Sequence, residues 1–148
     1  MGGMPARNGA VCSRPPFWPI LNAITFTFVD RMRLNKLQQT AVTALEDIKA
    51  RDITVLDVRK ITSIYDSMII ATAESNRQAK ALAHHVRDRL KEAGATIQGV
   101  EGEATGEWVL VDCGDIVVHV MQPAVRAYYN LEELWQDAAS TRRVKAAA

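Results

Sequence analysis

Residues 101–121 read EGEATGEWVLVDCGDIVVHVM, and their alternation sets the architecture expected of the rest of the chain. Val109, Val111, Ile116, Val118 and Val120 recur at every second position around Asp112-Cys113-Gly114-Asp115. A period of two interrupted by a Gly-containing tetrapeptide predicts two antiparallel strands and a tight turn. With Cys113-Gly114 as the loop, Asp112 faces Asp115, Leu110 faces Val117 and Trp108 faces His119. One face is then β-branched: Val109, Val111, Ile116 and Val118. The other carries Trp108, Asp112, Asp115 and His119 with Leu110 and Val117, too polar for a core and too aromatic for an ordinary solvent face. That second face is the expected working surface.

Upstream of the hairpin, Ser75-Asn76-Arg77-Gln78 is a capping box. It predicts a helix with Ala79, Leu82, Ala83, Val86, Leu90 and Ala93 on one face and Gly94 as its stop. His84 lies opposite that stripe and His85 beside it, which suits solvated surface better than metal ligation. Two strands are expected before the helix. Residues 52–58 are rich in β-branched residues, and Met68–Thr72 is so continuously apolar that burial on both faces is predicted. Thr62, Ser63 and Asp66, between them, are backbone-capping residues of a turn. Asn35 and Gln38 form another capping box, predicting a helix with Leu37, Ala41, Ala44, Leu45 and Ile48 on one side, ending near Ala50. Downstream, residues 97–100 read as a short strand and Pro123 ends the hairpin. Asn130 to Glu133 caps a last helix with Leu131, Leu134, Trp135 and Ala138 inward. Helix, strand, strand, helix, strands, helix predicts an α/β (α+β) fold, a mixed β-sheet with helices packed on it.

The domain is expected over residues 35–139, with a basic, frayed tail over 140–148. Residues 1–34 read as a disordered or mis-assigned extension with Met32 as the initiator. Its apolar run Phe17–Val29 is followed by no small-x-small cleavage site and is too short to span a bilayer. Cys12 and Cys113 form neither a disulfide framework nor a metal spacing, in keeping with a reducing, cytoplasmic setting. The net charge of +1 hides a division: residues 35–139 carry 11 Lys and Arg against 16 Asp and Glu, and the flanks carry 7 against 1. From Glu92 to Val125 there is no Lys or Arg at all. Such a surface repels a phosphate backbone and attracts a basic protein, so little direct nucleic-acid binding is expected.

These residues allow two catalytic readings. Asp112-x-x-Asp115 offers two carboxylates to a divalent metal, but no third ligand, Lys, Arg or phosphate-gripping loop accompanies them. Turn chemistry accounts for Asp-x-Gly-Asp. Cys113 and His119 as nucleophile and base would sit too far apart for proton transfer, at the turn and along the strand respectively. No catalytic residue, cofactor or metal ligand is therefore expected. Glu101, Glu103, Trp108, Asp112, Asp115 and His119 form the candidate partner-binding set, an indole anchor ringed by charge.

Asp52 to Asp57, Thr62-Ser63 with Asp66, Ser75-x-Arg77-Gln78 and Glu101-Gly102 belong to a longer pattern. It continues through Trp108-x-x-x-Asp112-x-Gly114-Asp115-x-Val117-Val118-His119 and Arg126-x-x-Tyr129-x-Leu131-Glu132-x-Leu134-Trp135. Over residues 35 to 138 this pattern resembles the ribosomal silencing factor family (RsfS/Iojap). The resemblance implies a fold similar to nucleotidyltransferases without the catalytic apparatus. It also implies binding to the fourteenth protein of the large ribosomal subunit and steric prevention of small-subunit joining, slowing translation when nutrients are scarce. The competing readings are a metal-dependent nucleotidyl-transfer enzyme using Asp112 and Asp115, and an assembly factor for the large subunit. No membrane partner is expected, and a homodimer is the candidate free state. Cys113 stands where the family pattern carries a bulky residue, and the extension before Met32 lies outside the pattern.

Overall fold

The computed structural model of the chain describes residues 18–136 and 141–143. In chain order its elements are helix α1 (Trp18–Asp47), strands β1 (Arg51–Asp57) and β2 (Ser67–Thr72) and helix α2 (Asn76–Glu92). There follow β3 (Gly99–Glu101), β4 (Trp108–Asp112), β5 (Ile116–Met121), helices α3 (Pro123–Tyr129) and α4 (Leu131–Gln136), and β6 (Thr141–Arg143). The chain divides between Arg33 and Leu34 into two compact units, and the sheet belongs to the second. No helix among the described residues is long and apolar enough to cross a membrane.

The strands form one mixed sheet in the order β3-β4-β5-β2-β1-β6, the α+β architecture expected. β2 and β5 pair in parallel at its centre, and every other pairing is antiparallel. Every residue of β2 and β5 is buried, as the apolar run at Met68–Thr72 predicts. A parallel pair needs a long crossover, and α2 with the β3–β4 segment supplies it.

Each sheet face carries its own core. On the first, Val109, Val111, Ile116, Val118 and Val120 pack with Ile69 and Ala71 against Leu37, Ala41, Ala44 and Leu45 of α1 and Leu82, Val86 and Leu90 of α2. This is the β-branched face read from the sequence. α2 starts where its capping box predicts: the Gln78 amide donates to Ser75 Oγ at 3.1 Å. The Gln78 carboxamide, however, accepts from the Glu74 amide at 2.8 Å, one residue before the cap.

Four expectations are corrected. α1 does not begin at Asn35, which is an exposed mid-helix residue. The helix starts at Trp18 with Pro19 in its first turn, where a missing amide hydrogen costs nothing. A capping box marks a start only when the preceding residues cannot themselves be helical. The last helix, α4, follows Asn130 as expected, and a short helix not read from the sequence, α3, precedes it from Pro123, with Asn130, left-handed at φ 43°, between the two. Leu134, expected inward, is 73% exposed, and Ala138 lies outside the described residues. The tail is not wholly frayed, because Thr141–Arg143 pairs with Leu56, Val55 and Thr54 as an edge strand.

The fourth correction concerns the hairpin register. Cys113 N–H donates to the Ile116 carbonyl at 2.9 Å, so Gly114-Asp115 is the loop. Gly114 takes φ 81°, the positive value that favoured hairpin turns require at the first loop position. Asp112 Oδ1 accepts the Gly114 amide at 2.9 Å and locks the turn. Trp108 therefore faces Met121, Leu110 faces His119 and Asp112 faces Val117. Each partner moves by two residues, so the sides of the sheet stay as predicted.

Candidate functional site

The second face of the hairpin is covered more than its composition suggests. Leu56, Val58, Met68, Ile70, Val117 and Met121 form a separate core there, with Tyr65, Trp108, Leu110, Val125, Leu131 and Trp135 packed around it. α3 and α4 supply the last three of these. Trp108 is consequently half-buried and His119 only 7% exposed, which corrects the expectation of a freely exposed indole face.

Trp108 and His119 are brought together, though not as a facing pair. The indole Nε1–H donates to His119 Nδ1 at 3.0 Å, with ring centroids 5.8 Å apart. An imidazole that accepts at Nδ1 must be neutral with its proton on Nε2. Burial pushes its pKa down to about 4, which keeps it so at physiological pH. The indole also meets Tyr129 of α3, with ring centroids 4.9 Å apart, and Tyr129 meets Tyr128 edge-on at 5.0 Å. Tyr128 is 82% exposed, so an aromatic run leads from the buried imidazole to solvent.

The acidic residues are dispersed around this run. Glu101 is exposed on β3, opposite Leu110. Glu103, half-buried, contacts the His84 imidazole of α2, and Glu107 is exposed beside Trp108. Asp112 and Asp115 do not face each other. Asp112 Oδ2 lies 3.4 Å from the Tyr65 hydroxyl, while Asp115 is exposed and its main-chain oxygen accepts the Asp66 and Ser67 amides. Burial, with the Asp112 charge second, raises the Tyr65 hydroxyl above its ordinary range. The same two causes in the same order push the Cys113 thiol up to about 11.

These positions bear on the catalytic readings. Asp112 is committed to the Gly114 amide and Tyr65, and no group of three or more His, Cys, Asp or Glu able to hold a metal occurs among the described residues. A thiol held protonated at the turn, and an imidazole whose Nδ1 is occupied by an indole, are poor partners in nucleophilic catalysis.

Sequence reasoning overlooked the group that seats α3 and α4. Arg126 Nη1 donates to the Asp52 carbonyl and to Thr72 Oγ1, both at 2.6 Å. Its Nη2 donates to Thr54 Oγ1 at 3.1 Å and pairs with Glu132. Because Tyr129 lies one helical turn after Arg126, this anchor also places the ring that braces Trp108. The i, i+3 spacing of Arg126 and Tyr129 was visible, but nothing local to it names the threonines on β1 and β2.

Residues 31–148 match the family model described as ribosomal silencing factor during starvation. The chain is 58% identical over 104 residues to a Chromobacterium violaceum protein named ribosomal silencing factor RsfS, covering 70% of this chain and 85% of that one. A crystal structure of a protein from Chromobacterium violaceum superposes with a TM-score of 0.68 at 55% identity, covering 76% of this chain and 94% of that one. A mouse protein named mitochondrial assembly of ribosomal large subunit protein 1 is 33% identical over 97 residues, 64% of this chain and 42% of that one. With its α+β sheet, its acidic hairpin and these likenesses, the chain belongs to the ribosomal silencing factor family.

Proposed function

We propose that this protein binds the large ribosomal subunit through its fourteenth protein and blocks joining of the small subunit by occupying the joining surface. Repression of translation under nutrient limitation, in the cytoplasm, would follow. The observation that carries the reading is the run from Glu92 to Val125, which holds six carboxylates, no Lys or Arg, and an indole packed against both His119 and Tyr129. A basic ribosomal protein is the partner that such a surface attracts, and an aromatic anchor within a charged rim supplies affinity. Glu101, Glu103, Trp108, Asp112, Asp115 and His119 are the proposed contact residues. His119, buried, acts through Trp108 by accepting the indole N–H at Nδ1.

Action is by occupancy. Transfer chemistry on nucleotides needs cationic groups and a phosphate loop to offset charge, and the hairpin carries neither. Added to separated subunits, the protein should reduce their joining in proportion to the amount added. The effect should saturate near one molecule per large subunit, with no need for magnesium-nucleotide. Inhibition of the whole pool by a small fraction of that amount, or a nucleotide requirement, would replace blocking with catalysis. Sedimentation with free large subunits, small subunits and joined ribosomes locates the partner and reports any homodimer of the free protein. The name of the mouse relative favours a second reading, assembly of the large subunit. Co-sedimentation with immature particles alone would select it.

A further inference from the structure

We propose that Asn76 and Gln122 are positioning residues: they hold the acidic β3–β4 loop and the start of β4 in one arrangement, ready for a basic protein surface. The proposal rests on the reading of the hairpin as the partner-binding face. Neither residue belongs to the hairpin or its loop. Asn76 is the first residue of α2, and Gln122 is the residue before α3.

Their grip falls on three consecutive peptide carbonyls. Asn76 Nδ2 donates to the Thr105 carbonyl at 2.7 Å. Gln122 Nε2 contacts Asn76 Oδ1 and lies 3.4 Å from the Gly106 carbonyl. The Gln122 main-chain amide donates to the Glu107 carbonyl at 2.9 Å. The loop closes on itself as well, with the Gly106 amide donating to the Gly102 carbonyl at 3.1 Å. Space is committed around it. A Cβ on Gly106 would come within 2.9 Å of the Asn76 main chain, and one on Gly102 within 2.0 Å of the Trp108 carbonyl. Both glycines have positive φ, 72° and 85°. Glu103 reaches His84, two turns along α2 from Asn76, giving the loop a second attachment to the same helix.

The consequence concerns binding more than folding. Glu101, Glu103 and Glu107 sit on or beside this loop, and Trp108 follows it directly. A loop free in the unbound protein would have to be ordered on contact, and that cost would be subtracted from affinity. Held by Asn76 and Gln122, the carboxylates and the indole meet the partner already placed. A clamp of this kind can be removed without touching a charge or an aromatic ring.

The test is a double-mutant cycle on the full chain, with affinity for purified large subunits measured across salt concentrations and the thermal midpoint measured in parallel. Asn76→Ala and, separately, Gln122→Ala should weaken binding about tenfold with little change in midpoint. The pair Glu103→Gln/Glu107→Gln should weaken binding and flatten its salt dependence. In that background Asn76→Ala should add less than about twofold, because the two carboxylates nearest the clamped carbonyls no longer carry charge to position. The same tenfold loss in both backgrounds, or no loss from either clamp variant, overturns the positioning role. If the glutamine pair leaves affinity and salt dependence unchanged, the acidic-face reading fails, and this proposal with it.

Discussion

Arg126→Met removes a guanidinium that is only 12% exposed and leaves Glu132, 15% exposed, with its carboxylate facing an apolar side chain. Three further acceptors lose their donor: the Asp52 carbonyl and the hydroxyls of Thr54 and Thr72, both threonines being buried. Breaking a largely buried pair from one side costs about 3–5 kcal/mol, since the remaining charge stays desolvated and loses its ionic partner, the hydrogen bond from Thr54 Oγ1 at 3.3 Å being weaker compensation. A unit of about 115 residues has an unfolding entropy near 0.24 kcal/mol/K, so the expected fall in thermal midpoint is about 12–20 °C by calorimetry. Removing the stranded charge as well, in Arg126→Met/Glu132→Leu, should recover most of that loss, to within about 2 kcal/mol of the parent. The near-ultraviolet circular dichroism of the single variant should also weaken, because α3 carries Tyr129 against Trp108. A midpoint shift below about 4 °C, or a double variant no better than the single one, would refute the claim that this pair seats α3 and α4.

Three other outcomes follow from the site. His119 has its pKa pushed down to about 4 from 6.5 by burial, so the unfolded chain takes up the proton first. Its contribution is complete above pH 6.5 and is lost as pH falls through about 4, roughly 3 kcal/mol in total; urea titrations should give His119→Gln a flatter profile over that window, and identical profiles would be the contrary result. The Cys113 thiol, raised to about 11 from 9.0, should be alkylated by iodoacetamide at pH 8 about a hundredfold more slowly than in the urea-unfolded chain. Peptide mass spectrometry reads that rate, and equal rates in the two states would contradict the assignment. Trp108→Ala should lose about 2–3 kcal/mol of stability, because the ring packs on the second core, and at least about 2 kcal/mol of large-subunit affinity; a folded variant that binds as tightly as the parent removes Trp108 from the interface.

Local chemistry was legible in the sequence wherever its cause was local. The alternation at Val109–Val120 declared two strands with one apolar face, and that face is buried against α1 and α2. Ser75 and Gln78 marked the start of α2, and the apolar run at Met68–Thr72 marked a strand buried on both sides. The acidic stretch, the indole within it and the family were readable for the same reason, since charge and motif order are properties of the chain. Tertiary structure alone decided the rest. The loop lies at Gly114-Asp115 because β4 and β5 pair with Asp112 opposite Val117, a choice of register that alternation cannot distinguish when the slip is even. The second face became a core because α3 and α4 fold back over it, held by contacts such as Thr54 with Glu132, 78 positions apart. A periodicity states which side of a strand is apolar. Which element arrives to cover the other side depends on partners that meet only after the chain has closed, and that closure set Tyr129 against Trp108.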